Sequence, residues 1–160
     1  MVSAPLPAIA KLKESDSKAR LRLWIRLLRA SRLIESVARE RLKAQFNATL
    51  PRFDVMAALY RKPDGMLMSE ISRFLMVSNG NVTGIVDRLV SDGLVQRAQR
   101  NGDRRTSIVR LTRTGHAAFK KMAAAHERWV DELLADVSKN DAQRLTSMLK
   151  TFRSNWEERQ

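Results

Sequence analysis

Five arginines surround an Asn-Gly pair in the segment QRAQRNGDRRTSIVRLT, which runs from Gln96 to Thr112. Asn-Gly between two β-prone runs predicts a hairpin, because both residues tolerate the positive φ of a tight turn. Such a hairpin projects its guanidinium groups into solvent or onto a polyanion. The alternative, for the hairpin taken alone, is a charged surface exposed to solvent. The elements that flank the hairpin must therefore decide between the two interpretations. The arginines are Arg97, Arg100, Arg104, Arg105 and Arg110, with Asp103 the acidic residue among them.

The whole chain has an excess of positive charge. Its 160 residues include 30 Lys and Arg against 17 Asp and Glu, a net charge of +13. Such an excess points to nucleic acid, an anionic membrane or an anionic ligand as partner. Residues 1–51 hold 11 basic and 4 acidic side chains and residues 52–113 hold 11 and 6, whereas residues 114–160 hold 8 and 7. The charges of residues 114–160 are therefore nearly balanced, and the excess of positive charge lies in the first two thirds of the chain.

Several classes of protein are excluded by the composition. The chain has no cysteine, which fits a reducing compartment, and its two histidines, His116 and His126, lack the spacing of metal ligands. No segment approaches a membrane span or a secretory signal, so we expect a cytoplasmic protein with no membrane partner. Nucleotide-binding, nucleophile-elbow and zinc-protease motifs do not occur in the sequence. We therefore expect a protein that is not an enzyme and that binds no cofactor.

The first part of the chain predicts a loose arm over residues 1–16 and then a long helix over residues 17–46. Arg22, Arg26 and Arg29 lie on one face of that helix. The apolar face of this helix is larger than the surface that a small lobe of the same chain can cover. A second protein surface is therefore expected to pack against it. The apolar positions are Leu23, Leu27, Ala30, Ile34, Val37, Ala38 and Leu42.

A second helix is predicted after Pro51, which suits a first turn, with Asp54 favourable to the helix dipole. Pro63-Asp64-Gly65 predicts its end and a turn. A short helix capped by Ser69 then runs to Leu75. Its predicted buried residues are Ile71, Phe74 and Leu75.

A turn over residues 76–78 leads to a further helix over residues 79–92, which Gly93 ends as a C-cap. Strands are predicted over residues 94–98 and 106–111, with Ser107, Val109 and Leu111 on one face. Two helices joined by a turn and followed by a hairpin form a winged helix-turn-helix, with the arginine hairpin as the wing. The fold class is therefore mainly α. The apolar positions of the helix before the wing are Val82, Ile85, Val86, Leu89 and Val90.

Two further helices close the chain, the first from Thr112 or Thr114 and the second after Ser138, which with Asp141 resembles a capping box. Their apolar stripes fit an internal core, of which a homodimer interface is the form we prefer. The first stripe comprises Phe119, Met122, His126, Trp129, Val130, Leu133, Leu134 and Val137. The second comprises Leu145, Met148, Leu149, Phe152 and Trp156.

The helix before the wing begins with short polar residues suited to base edges in the major groove of DNA. An Asn amide bonds adenine in a bidentate way, and a Thr methyl contacts thymine. The alternative is that Ser78 and Asn79 only cap the helix. Gly80 and Gly84 lower helix propensity but permit close approach of DNA or a neighbouring helix. The predicted base contacts are Ser78, Asn79, Asn81 and Thr83.

The wing suits the minor groove. Asp103 can pair with Arg104 and orient it, which leaves Arg105 to enter a narrow groove where A-T sequence concentrates negative potential. Phosphate contacts add affinity and salt dependence without sequence information. The predicted phosphate contacts are Arg73, Arg88, Arg97, Arg100 and Arg110.

The segment from Leu67 to Phe119 resembles the MarR family of dimeric winged-helix transcription regulators, above all in VDRLVSDGLVQR, the wing DRR and the LTRTG that follows. The resemblance implies a single domain over residues 1–160. Its dimerisation lobe comprises residues 17–46 and 114–158, and its DNA-binding lobe comprises residues 50–113. It also implies a homodimer on an inverted-repeat operator in double-stranded DNA, repression, and release by a small anionic aromatic bound between the lobes.

Two segments, ARLRLWIRLLRASRLIES and LPRFDVMAALYRKPDGMLMSEIS, are similar to regulators of hydroxycinnamate and related aromatic-acid catabolism, some of which sense the acyl-CoA thioester. Arginines of the first helix can meet CoA phosphates and aromatic residues can line a slot. A solvated or DNA-facing surface is the alternative for those arginines. The predicted effector residues are Trp24, Arg26, Leu28, Arg29, Arg32, Tyr60, His116 and Phe119.

The sequence therefore predicts a homodimeric, sequence-specific DNA-binding repressor that an aromatic acid or its CoA thioester releases. An activator without ligand response and a non-specific architectural DNA binder remain alternatives. A winged helix that binds only proteins is disfavoured by Arg104 and Arg105.

Overall fold

The computed structural model describes residues 8–100 and 103–157, and it describes side chains over residues 16–98 and 107–152. Six helices and three strands follow one another in that part of the chain. The elements are α1 (Ala8–Phe46), α2 (Leu50–Tyr60), β1 (Met66–Leu67), α3 (Met68–Leu75), α4 (Asn79–Ser91), β2 (Val95–Arg100), β3 (Asp103–Leu111), α5 (Arg113–Leu133) and α6 (Lys139–Glu157).

Helix α1 begins at Ala8, so the prediction of a loose arm up to residue 16 is wrong over residues 8–16. Ala, Leu and Lys dominate this segment and are strong helix formers. Among the side chains of α1 that the structure describes, from residue 16 on, Ala38 and Leu42 in the C-terminal part are buried in the core. Leu23 and Leu27, predicted on an apolar face, are exposed in the single chain.

Helix α2 crosses the middle of the core, and the prediction that Pro51 lies in its first turn is confirmed. The following turn ends at Gly65, whose φ is +96° and where an added Cβ would lie 2.9 Å from the Val109 carbonyl oxygen. Glycine is required there because the chain turns tightly against a neighbouring strand. That strand is β3, and it pairs with the two-residue strand β1, Met66 opposite Val109.

Helix α3 differs from its prediction in two respects. The cap is not Ser69, which lies inside the helix; the N-cap is Leu67, whose backbone N–H donates to the Glu70 carboxylate at 2.7 Å. Phe74, predicted buried, is 49% exposed. The buried face is centred on Ile71 with Leu75 packed beside it, and Phe74 lies to one side of that stripe.

Helix α4 follows the turn after α3 and ends as predicted, at Gly93 with φ +70°. Val82, Val86 and Leu89 are fully buried. Val90, predicted on the same face, is 38% exposed, because one position after Leu89 the helix surface has rotated by about 100° toward solvent.

Strands β2 and β3 form an antiparallel hairpin longer than predicted, and β1 adds a third strand in the order β1-β3-β2. Val109 and Leu111 point into the core, whereas Ser107 is exposed although it shares their alternation. The predicted Asn101-Gly102 turn lies outside the described residues. The strands flanking it are paired, with Arg100 opposite Asp103.

Helix α5 begins after Thr112, whose side-chain hydroxyl makes two hydrogen bonds. The Thr112 hydroxyl accepts from Gly115 N at 3.0 Å and donates to the Gly93 carbonyl at 2.7 Å. Gly115 is buried, and a Cβ there would lie 1.9 Å from the Leu94 carbonyl oxygen. The start of α5 therefore packs closely against the segment between α4 and β2, with no room for a side chain at Gly115.

The predicted stripe of α5 is buried at Phe119, Met122 and Trp129. Leu134 and Val137 are exposed, against prediction, because the helix ends at Leu133 and their spacing no longer holds them on the core face. Ser138 caps α6 as predicted, since its Oγ accepts from Asp141 N at 3.2 Å.

The stripe of α6 does not form an internal core. Among its described members, Leu145, Met148, Leu149 and Phe152 are all exposed, Phe152 by 67%. The side chain of Trp156 lies outside the described residues. The described helices include none long and apolar enough to cross a bilayer.

Candidate nucleic-acid interface

The N-terminal turn of α4 presents polar side chains to solvent. Ser78 is its N-cap, with its Oγ 3.4 Å from Asn81 N, and the Thr83 hydroxyl donates to the Asn79 carbonyl at 2.9 Å. Both hydroxyls are therefore engaged within the helix, while the side chains of Asn79 and Asn81 are exposed. Of the four predicted base-contacting residues, the two asparagines offer amides, and Thr83 has its methyl group for apolar contact.

Gly80 and Gly84 lie on the side of α4 opposite its buried face. An added Cβ at either position would meet nothing within 4 Å. No contact among the described residues therefore requires glycine, although each glycine weakens the helix by about 1 kcal/mol relative to Ala. The bare surface leaves the backbone of α4 open to close approach from outside.

The wing is tied to α4 by an ion pair between neighbouring elements. Arg97 Nη2 donates to the Asp87 carboxylate at 2.7 Å. On the paired strand, Arg110 Nε donates at 2.8 Å to the Gln96 amide oxygen in the amide orientation that satisfies both partners. Of the predicted phosphate contacts, Arg97 is thus held beside α4, and Arg110 is held against Gln96 across the hairpin.

The other predicted DNA contacts divide into two groups. Arg73 and Arg88 are exposed on α3 and α4. The side chains of Arg100, Asp103, Arg104 and Arg105 lie outside the described residues, so their predicted roles in the wing and on phosphate stay predictions.

A cationic groove of about 700 Å³ runs between the C-terminal part of α1, the start of α2 and α4. Gly80 and Gly84 form part of one wall. Sequence reasoning missed three of its four cations because the groove exists only where α1, α2 and α4 meet in space. The cations are Arg39, Lys43, Arg52 and Arg88.

An aromatic cluster joins α2 to α5 and includes three of the predicted effector residues. The ring centroid of Tyr60 lies 5.3 Å from that of His116 and 4.8 Å from that of Phe119. Phe53 lies 5.4 Å from Phe119 and 4.9 Å from His126. Burial lowers the pKa of His126 below its ordinary value. Phe119 is buried within this packing, so Tyr60 and His116 are the more accessible members.

The remaining predicted effector residues lie on the N-terminal half of α1. Trp24 is 58% exposed, and it lies about 27 Å along the helix axis from Leu42, where α1 enters the core. Arg26 and Arg29 line a shallow surface hollow with Arg22 and Ile25. Leu28 is half-buried and Arg32 is exposed.

The contact between α1 and α2 holds an acidic pair. Burial, and secondarily the negative charge of Glu35, raise the pKa of Asp54 above its ordinary value. Among the described residues, no group of three or more His, Asp and Glu is placed to hold a metal ion.

The arrangement of α3, α4 and the β2-β3 hairpin defines a winged helix-turn-helix DNA-binding protein. A sequence profile of the MarR family matches residues 48–107. The transcriptional activatory protein BadR of Rhodopseudomonas palustris is 30% identical over 138 residues, 83% of this chain and 78% of BadR. The chain belongs to the MarR family.

Solved structures agree with this assignment. A MarR family transcriptional regulator from Silicibacter pomeroyi is 34% identical, with a TM-score of 0.73 over 88% of this chain and 97% of that one. A mutant MarR from E. coli complexed with operator DNA has the same fold, at 23% identity and a TM-score of 0.72 over 84% of this chain and 95% of that one. The protein is a DNA-binding transcription regulator and not an enzyme, and the predicted family and fold class are confirmed.

Proposed function

We propose that the protein is a homodimeric, sequence-specific repressor, released from an inverted-repeat operator by a small anionic aromatic. The observation that carries the proposal is the exposed N-terminal turn of α4, where Asn79 and Asn81 offer amides beside a wing fixed by the Asp87–Arg97 pair. Asn81 contacts base edges in the major groove, and Thr83 supplies a methyl contact. Ser78 chiefly holds the helix end that presents them.

The wing and the surrounding cations supply affinity. Arg105 enters the minor groove, with Asp103 and Arg104 in support. The phosphate contacts add a steep salt dependence. They are Arg73, Arg88, Arg97, Arg100 and Arg110.

The dimer is proposed from apolar surface that one chain leaves uncovered. Leu21, Leu23 and Trp24 on α1 and Leu145, Leu149 and Phe152 on α6 are exposed, which is unusual for so many large apolar side chains on two helices of a monomer. A two-fold dimer covers both faces and presents two α4 helices to one operator. The dimerisation lobe then comprises residues 17–46 and 114–158, and residues 50–113 bind DNA.

The effector slot uses Tyr60, His116 and Phe119 together with Trp24 and Leu28, and Arg26, Arg29 and Arg32 meet the acid group or the CoA phosphates. Trp24 is largely exposed in one chain, so the second protomer is proposed to cover it and complete the slot. Bound effector favours a dimer whose two α4 helices are no longer one helical turn of DNA apart, roughly 34 Å.

A second candidate is an activator of the same operator. BadR, to which the chain is similar over most of its length, is described as a transcriptional activatory protein. The two candidates share every DNA contact and differ in the position of the operator relative to the promoter. In vitro transcription with purified polymerase distinguishes them by the sign of the effect.

The testing experiment is fluorescence anisotropy on the protein's own upstream DNA and on a scrambled duplex near physiological salt. A preference of roughly 10³-fold or more, reversed by one member of a panel of aromatic acids and their CoA thioesters, is expected. Equal binding to both duplexes, indifferent to every compound, would replace the repressor with an architectural DNA binder. For the dimer, sedimentation of a Leu145→Asp, Leu149→Asp variant should give monomers, and a stable dimer would place the interface elsewhere.

A further inference from the structure

Met76, the residue that ends α3, has a left-handed backbone and an almost fully exposed side chain. Its φ is +54° and its ψ is +39°, a conformation that glycine adopts freely and that strains a residue with a Cβ. The side chain is 87% exposed, the largest fraction among the large apolar side chains that the structure describes. Two unfavourable features therefore meet at one residue, and glycine would remove both.

The turn that contains Met76 is held by other groups. The Met76 N–H donates to the Ser72 and Arg73 carbonyls, and the Val77 N–H donates to the Ser72 carbonyl at 3.1 Å. The Ser72 hydroxyl closes the turn by donating to the Val77 carbonyl at 2.5 Å. The exposed thioether adds almost nothing to this network. Strained residues concentrate at sites that bind a partner, so the use of this side chain lies in a contact outside the chain.

The position of Met76 in the fold indicates which partner it meets. It lies two residues before Ser78, the N-cap of α4, so its Cα is within about 7.6 Å of the Ser78 Cα. That end of α4 carries Asn79 and Asn81, and it is the end that enters the major groove in the proposed function. Met76 is therefore close to the base edges that those asparagines contact.

The charge around the turn suits DNA better than a protein. Residues 71–86 contain no acidic side chain, and Arg73 is their one charged residue. The Arg61 guanidinium lies 5.8 Å from the centroid of the Phe74 ring, so the neighbouring exposed aromatic ring has a partner within the chain. Met76 is left in a small apolar spot within a neutral to cationic surface, which is far short of the area that a protein interface buries.

We propose that Met76 is a specificity-determining residue that packs against a thymine methyl group in the major groove of the operator. The C5 methyl of thymine is the apolar group that a base pair presents in that groove, and apolar side chains contact it. The thioether is flexible and polarisable, so it adapts to the surface of a base edge. This contact rests on the proposed function, because it adds an apolar base contact to the polar contacts of Asn79 and Asn81.

Two substitutions of Met76 test the apolar contact by fluorescence anisotropy on the operator and on a scrambled duplex. Met76→Gln keeps the length of the side chain and the strained backbone but replaces apolar atoms with an amide. We expect it to weaken operator binding about fivefold to tenfold and to leave binding of the scrambled duplex unchanged. Met76→Leu stays apolar and is the matched control, within about twofold of wild type. Equal operator affinity in Met76→Gln and wild type would overturn the proposal.

Met76→Gly separates the contact from damage to the fold. It removes the side chain together with the backbone strain, so its midpoint in urea unfolding should be no lower than that of wild type. Its affinity for the operator should nevertheless fall as far as that of Met76→Gln. A Met76→Gly chain that is at least as stable as wild type and binds the operator equally well would show that the side chain has no role in DNA binding.

Operators with one thymine at a time replaced by uracil identify the methyl group. Each replacement removes one C5 methyl and retains the base pair. Wild type should lose about threefold to fivefold in affinity at one position of each half-site. Met76→Gln should lose nothing further there, because both changes remove the same contact. Thr83→Ser, which lacks the other methyl proposed to contact thymine, should keep the full loss at the Met76 position. Equal losses in wild type and Met76→Gln at every thymine would contradict the contact.

The scrambled duplex distinguishes failure of this contact from failure of the proposed function. A wild-type preference for the operator that all Met76 variants retain contradicts the methyl contact alone. A wild-type chain without any preference contradicts the proposed function, and the contact with it. Unchanged operator affinity in Met76→Gln together with altered in vitro transcription would assign Met76 to a protein partner instead of DNA.

Discussion

Arg97 donates a hydrogen bond to Asp87 at 2.7 Å, and this ion pair joins the first strand of the wing to the helix that carries Asn79 and Asn81. Both side chains are substantially exposed, so the pair stabilises the fold only weakly, by about 1 kcal/mol or less. Its main effect is geometric, because it joins two elements that we propose contact the same DNA.

We therefore expect Asp87→Asn to reduce the preference for operator over scrambled DNA while the melting temperature changes little. Anisotropy on both duplexes and thermal denaturation measure the two effects. Glu132→Gln, which removes the 2.7 Å pair with Arg41 on the other lobe, is the matched control. An unchanged preference in Asp87→Asn would show that the wing is positioned by other contacts.

Asn81→Ala should lower discrimination by roughly 1–3 kcal/mol, the usual value of a bidentate base contact. Stability should be retained, since the side chain is exposed and Ala is a better helix former. Competition anisotropy with operators altered one base pair at a time measures the loss. Asn140→Ala, an exposed asparagine near the start of α6, controls for the substitution itself. Equal discrimination in Asn81→Ala and wild type would remove the residue from base recognition.

Gly80→Ala and Gly84→Ala should change stability and DNA binding in opposite directions. Each added Cβ meets no atom within 4 Å, so the gain in helix propensity raises the free energy of unfolding by up to about 1 kcal/mol. The same methyl groups hold the helix away from DNA and should weaken operator binding. Denaturant unfolding and anisotropy supply the two readouts, and variants that bind operator as tightly as wild type would show that α4 never approaches DNA at these positions.

Gly115→Ala should destabilise the protein by about 2 kcal/mol or more, because the new Cβ lies 1.9 Å from the Leu94 carbonyl oxygen and backbone must move. Gly84→Ala is again the matched substitution, with open space around it. Urea unfolding of both variants gives the difference. A wild-type midpoint for Gly115→Ala would mean that the start of α5 can shift freely against the segment after α4.

The stability of the protein should depend on the protonation of His126. Burial lowers its pKa in the folded chain below 6.5, so the unfolded chain takes up a proton first as pH falls. The free energy of unfolding should therefore decline below pH 6.5 and level off beneath the folded pKa. His126→Phe keeps the ring against Phe53 and should flatten this decline in urea unfolding between about pH 7.5 and about pH 5.5. Identical slopes would exclude His126 as the source.

Local signals in the sequence predicted much of the fold. Pro51 at a first turn, Gly93 after α4 and Thr112 before α5 all hold in the structure, because each end depends on residues within one helical turn. The buried positions Val82, Val86 and Leu89 of α4 followed from spacing, whereas Val90 did not. The Ser69 cap failed because the Leu67 N–H and Glu70 satisfied the start of α3 instead.

Other features depend on distant parts of the chain meeting. Strand β1 has two residues, too few for any periodicity, and it exists because Gly65 turns the chain against β3. The Asp87–Arg97 pair and the cationic groove combine residues from separate elements.

The sequence by itself determined the family, the order of the six helices and the hairpin, and the polar start of α4, since these follow from short-range residue patterns. Only the tertiary structure decided which apolar stripes are covered. Leu145 and Leu149 have the spacing of core residues, yet they are exposed in the single chain. The physical reason is that periodicity defines the apolar side of a helix, whereas burial depends on what lies opposite that side.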